Sequence, residues 1–88
     1  MPKSTFTSDY ESFRLLLIEA RISANLTQAA LARKLDRPQS YVSKYERGER
    51  RLDVIEFLQV AQAVGIDPHH LIRKLQPTSV LQKRQRIS

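Results

Sequence analysis

Apolar residues recur at helical spacing in five stretches of the 88-residue chain, and no stretch shows the alternation of a half-buried strand. Phe13, Leu16, Leu17, Ala20 and Ala24 fall on one stripe and predict a first helix. It should begin at Ser8, where Glu11 three residues on completes a capping-box signature, and stop at Asn25, which tolerates left-handed backbone. Thr27 is placed to cap a short second helix, Gln28 to Leu35, with Leu31, Ala32 and Leu35 inward. Asp36, Arg37 and Pro38 break that helix. Proline suits a first helical position, so a third helix is predicted from Pro38 to Arg47, with Gly48 as its left-handed stop. Asp53 can cap a fourth, whose Val54, Phe57, Leu58, Ala61 and Val64 share a face before Gly65. Asp67 and Pro68 open a fifth, which brings Leu71, Ile72 and Leu75 to the core before Pro77 stops it. The expected fold class is therefore all-α, a compact five-helix domain over residues 8–76. It lies between a loose arm, 1–7, and a basic tail, 77–88.

Length and composition narrow what such a domain can do. A chain this short has room for one small core and little for an enclosed active site. It has no cysteine, so disulfides, thiolate metal sites and cysteine nucleophiles are excluded, and a reducing cytoplasm is the expected setting. The strongly apolar run Leu15 to Ile18 is far shorter than the ~20 residues of a membrane span, and the start lacks a signal-peptide pattern. The net charge of +6 suits an anionic partner. Its distribution is more telling than its total: residues 1–24 balance, whereas 25–51 hold seven Lys and Arg against three acidic residues. A second basic cluster, Lys83, Arg84 and Arg86, lies in the tail.

The electropositive third coincides with the second and third helices. Two short helices joined by a tight turn can cross steeply, leaving the second free to enter a groove ~12 Å wide. With Gln39 at zero and ~100° per residue, Ser43 falls at about 40°, Arg47 at about 80°, Ser40 at about 100° and Lys44 at about 140°. Val42 and Tyr45 point the other way, and Glu46 turns toward that anchoring side. The reading side thus carries amide, hydroxyl and ammonium groups and no carboxylate. Gln39 can take adenine N6 and N7, Lys44 can donate to guanine, and Ser40 and Ser43 suit either. Candidate phosphate contacts are Gln28 at the start of the second helix, with Arg37, Tyr41, Arg47, Arg50 and Arg51 around the third.

The run LTQAALARKLDRPQSYVSKYERGER, followed by LDVIEFLQVAQAVGIDP, resembles the Cro and C1-repressor type (XRE family) of bacterial and phage helix-turn-helix domains. The resemblance covers roughly Phe13 to Leu75 and implies a lambda-repressor-like fold. It also implies base or nearby phosphate contacts from Gln39, Ser40, Ser43 and Lys44, phosphate contact from Gln28, and an internal Arg21–Glu46 ion pair. Two residues depart from the family pattern. Asp36 stands where a left-handed glycine is usual, and Ala30 stands where a glutamate often completes the cap begun by Thr27.

The expected function is that of a sequence-specific double-stranded DNA-binding regulator, a repressor or autoregulator acting as a homodimer on a palindromic operator, cytoplasmic and nucleoid-associated. An antitoxin or a restriction-modification controller would share this fold, with a toxin or polymerase as possible protein partner. A protein-interaction module with incidental basic charge is the reading from another class. Its basis is a second apolar stripe, Leu15, Ile18 and Ile22, which needs a cover, either a second subunit or the chain's own Val80, Leu81 and Ile87. No catalytic site, cofactor or metal is expected: Ser40 and Ser43 lie on an open surface, and His69 and His70 are adjacent residues pointing ~100° apart.

Overall fold

The structure, a computed structural model, describes residues 8–75. The expected arm and tail, with Val80, Leu81 and Ile87, lie outside them. Within these bounds the chain forms α1 (Ser8–Ser23), α2 (Gln28–Leu35), α3 (Gln39–Glu46), α4 (Val54–Val64) and α5 (Pro68–Lys74), in the order and places the sequence predicts.

Local chemistry accounts for the helix ends. Helix α1 has Asp9 and Glu11 in its first turn and Arg21 in its last, charges that suit the helix dipole. Asn25, with φ of 61°, turns the chain out of it. The side chain of Ser8 is outside the described set, and Glu11 reaches Arg14 at 2.7 Å. At α2, the Thr27 hydroxyl accepts from the Ala30 N–H at 3.0 Å. Asp36 takes the left-handed conformation (φ 58°, ψ 45°), and the N–H groups of Asp36 and Arg37 bond back to the Arg33 and Ala32 carbonyls. Helix α3 is one residue shorter at each end than predicted, because Pro38 keeps an extended ψ of 155° and acts as N-cap while Arg47 serves as C-cap. Gly48 (φ 82°) then closes the turn. Asp53 and Glu56 form a full capping box on α4, and Asp67 caps α5 through the His69 N–H, with Pro68 at the first helical position.

The core is drawn from all five helices: Leu17 of α1, Leu31 and Ala32 of α2, Tyr41, Val42 and Tyr45 of α3, Phe57 and Val60 of α4, and Leu71 of α5. Helix α2 packs on both α3 and α4, α1 packs on α3, and α5 closes the other side of α4. Four expected core positions are exposed instead. Ala24 follows the last residue of α1. Leu58 and Ile72 each lie ~100° round from a buried neighbour, Phe57 and Leu71, and so point off the core face. Val54 is 70% exposed in the first turn of α4, while Val60, which the expected stripe omits, is buried.

Candidate nucleic-acid interface

Helix α3 is amphipathic in the sense a groove-reading helix needs. Its inner arc is Tyr41, Val42, Tyr45 and Glu46, all buried, and its outer arc is Gln39, Ser40, Lys44 and Arg47, all exposed, with Ser43 half-buried between. No carboxylate lies on that outer arc. The Ser43 hydroxyl donates to the Ser40 carbonyl at 3.3 Å, leaving its oxygen lone pairs outward.

Two groups of polar contacts fix this helix in place. The first is the Arg21–Glu46 pair implied by the family resemblance. Arg21 Nε lies 2.7 Å from Glu46 Oε2 and its Nη2 lies 3.1 Å from Oε1, while its Nη1 donates to the Leu26 carbonyl at 2.8 Å. Glu46 is 5% exposed. The second is Arg14, whose guanidinium bridges Glu11 and the Glu46 carbonyl, so α1 grips both the side chain and the C-terminal end of α3. Sequence reasoning missed this contact. Its only sequence signal is Glu11 three residues before Arg14, since the carbonyl it reaches is 32 residues away. Within α3 itself, Tyr41 and Tyr45 meet edge to face with ring centroids 5.6 Å apart, and both are buried against the core. Burial pushes the Tyr45 phenol well above its ordinary range.

The expected phosphate contacts are placed less uniformly. Tyr41, expected at the backbone, is 7% exposed and belongs to the core. At about 200° on the helical wheel it lies close to Tyr45 at about 240°, so the anchoring side claims it. Its ring is instead a platform, with the Arg37 guanidinium 4.4 Å and the Arg50 guanidinium 4.8 Å from its centroid. Arg50 is also held by Glu56 through two bonds of 3.0 and 2.7 Å, and Arg47 is held by Glu49 at 2.9 and 3.0 Å. Arg51 stacks on the Tyr10 ring at 4.1 Å. Gln28, half-buried, donates to Glu46 Oε1 at 2.9 Å and accepts from Gln39 at 3.4 Å. Arg37 and Lys44 stand exposed, with no carboxylate in ion-pair contact among the described residues.

Two helices in tight sequence, the second anchored inward and bearing neutral and cationic hydrogen-bonding groups outward, define a DNA-binding helix-turn-helix unit. The chain belongs to the Cro/C1-type (XRE) helix-turn-helix family, whose helix-turn-helix model matches residues 17–71. Among solved structures it is similar to an XRE-family like protein from Pseudomonas syringae pv. tomato str. DC3000. The two are 49% identical over 84% of this chain and 90% of the other, with a TM-score of 0.79. Among curated proteins no match was found. No helix among the described residues is long and apolar enough to cross a membrane.

Proposed function

We propose that the protein is a sequence-specific regulator that binds a palindromic operator as a homodimer and acts as a repressor or autoregulator. The observation that carries this reading is the outer arc of α3. Gln39, Ser40, Ser43 and Lys44 form a contiguous set of donors and acceptors along the outer side of a clamped helix. Gln39 reads adenine through N6 and N7, Lys44 reads guanine, and the serines adjust to either. Gln28, Arg37, Arg47, Arg50 and Arg51 flank that arc and set the register on the phosphates.

Two copies are needed because one short helix reads too few base pairs, and two-fold symmetry would place half-sites about 34 Å apart. Exposed apolar residues supply the association surface. Leu15 is 54% and Ile22 58% exposed on α1, with half-buried Ile18 between them. Selection from random duplexes at one stated salt concentration tests the whole reading. The expected result is a palindrome bound in a strongly salt-dependent manner. A pool that stays random overturns it. Sedimentation checks the oligomer: the wild-type chain should run as a dimer, and Leu15→Glu with Ile22→Glu should run as a folded monomer.

A further inference from the structure

We propose that the cleft between α2 and α4 is a binding site for a small organic anion that also donates hydrogen bonds, and that this ligand competes with DNA for Arg37. The competition rests on the phosphate contact proposed for Arg37, whereas the site itself does not.

The cleft has a volume of about 440 Å³. That lies within the range of ~300–1,000 Å³ typical of small-molecule sites. One wall is the end of α2 and the turn after it, with Lys34, Leu35, Asp36 and Arg37, and the other is α4, with Gln59, Gln62 and Ala63. The three α4 residues are spaced i, i+3 and i+4 and so share one face. Leu35 and Ala63, half-buried against the core, make the floor, which a side chain longer than alanine would fill. The polar lining is exposed and has no ionic use inside the fold. Among the described residues Lys34, Asp36 and Arg37 form no ion pair, and Gln59 and Gln62 make no side-chain hydrogen bond. Arg14, Arg21, Arg47 and Arg50, by contrast, are each held by a carboxylate.

The lining prescribes the ligand. Lys34 and Arg37 are cationic and only donate, so they take a phosphate or carboxylate through charge-assisted bonds. The Asp36 carboxylate only accepts, so it opposes a bare anion and favours a ligand that also carries N–H groups. The Gln59 and Gln62 amides offer both donor and acceptor, and Leu35 with Ala63 receives an apolar body. A nucleoside monophosphate or an amino acid has this set of groups, whereas inorganic phosphate has neither N–H nor body. Arg37 is the link to DNA. Its guanidinium lies 4.4 Å from the Tyr41 ring centroid and also borders the cleft. A guanidinium engaged by the ligand's anion is lost to a DNA phosphate, so each ligand weakens the other by the same factor.

The test titrates the full-length protein with adenosine monophosphate, L-glutamate, adenosine and inorganic phosphate at one ionic strength, following backbone amide shifts. Adenosine monophosphate or L-glutamate should saturate with a Kd of about 1 mM or tighter, and which of them does so tells nucleotide from amino acid. The shifts should centre on Lys34 to Arg37 and on Gln59 to Ala63, and adenosine and inorganic phosphate should not saturate. Gln59→Ala with Gln62→Ala removes both amides and should weaken the ligand by about fivefold or more. Ala63→Met fills the floor without changing charge and should abolish binding. Both variants, once melting shows them folded, should keep wild-type affinity for duplex DNA in the absence of ligand. On the wild-type protein, saturating ligand should weaken duplex binding by about fivefold or more. Shifts that inorganic phosphate reproduces, or that spread over all the basic residues, mean screening by ions only and overturn the site. A ligand that saturates the cleft and leaves duplex affinity unchanged upholds the site and overturns the competition. A protein that binds the ligand but no duplex upholds the site and overturns the regulator reading instead.

Discussion

Burying a carboxylate is costly unless donors replace its water. At Glu46 two bonds from Arg21 and one from Gln28 do so. The net stability of the pair can still be near zero, but an orphaned partner is expensive. Glu46→Ala should destabilise the fold by about 3–5 kcal/mol, the usual cost of stranding one member of a buried pair. Glu49 also pairs with an arginine, Arg47, but both side chains are 55% exposed. Glu49→Ala should therefore leave stability nearly unchanged. Equal urea midpoints for the two variants would contradict this assignment. Asp36 offers the opposite case, a residue in left-handed backbone where glycine carries no steric penalty. Asp36→Gly should raise stability by less than about 1 kcal/mol, read as a higher urea midpoint, since relief of strain is partly offset by a more disordered unfolded chain. At this scale the sequence was legible where angle alone decides, as for Val42 and Tyr45. For Tyr41 the same angle places the ring inside, but the sequence did not show that Arg37 and Arg50 gather over it.

The ends of α2, α4 and α5 were readable in advance because a cap is a contact between residues two or three apart. The Asp53–Glu56 box is strengthened by a residue just upstream. Arg50, donating two bonds, and the Asp53 N–H hold the Glu56 carboxyl at about 2, below its ordinary 4.5. The folded state thus binds this proton more weakly than the unfolded chain. Its contribution is complete above about pH 4.5 and is lost as pH falls toward 2. Glu56→Gln should melt lower than wild type at pH 7, and the difference should shrink through that window. A gap that is constant from pH 7 to pH 2 would refute this. The same pairing explains what the sequence hid in this element. Arg50 looks like a free loop cation, yet it joins the turn after α3 to the first turn of α4 and leans on the Tyr41 ring. Arg14 is the counterpart on α1, its reach to the end of α3 invisible to any local pattern.

Over the whole molecule these pairings redistribute the charge that DNA would meet. Counting lysines and arginines makes residues 25–51 strongly basic, but Arg47 and Arg50 are already paired with carboxylates, whereas Arg37 and Lys44 have none in ion-pair contact among the described residues. Each phosphate neutralised by a cation contributes about −0.9 to the slope of log affinity against log salt. In a dimer the loss of one contact per subunit should flatten that slope by about 1.8. Arg37→Ala should therefore flatten it by nearly that amount and weaken all duplexes alike, with little change in melting temperature, because its guanidinium rests on Tyr41 from outside. Arg50→Ala should do the reverse. It leaves the Glu56 carboxylate, 14% exposed, with the Asp53 N–H but no cation, and so lowers the melting temperature, while the exchange of an internally neutralised cation for alanine moves the slope less. Lys44→Ala separates from both by relaxing preference at one or two positions of each half-site. If Arg50→Ala flattened the slope more than Arg37→Ala did, the Arg50–Glu56 pair would have to open on DNA, and the turn after α3 would become a moving part of the interface.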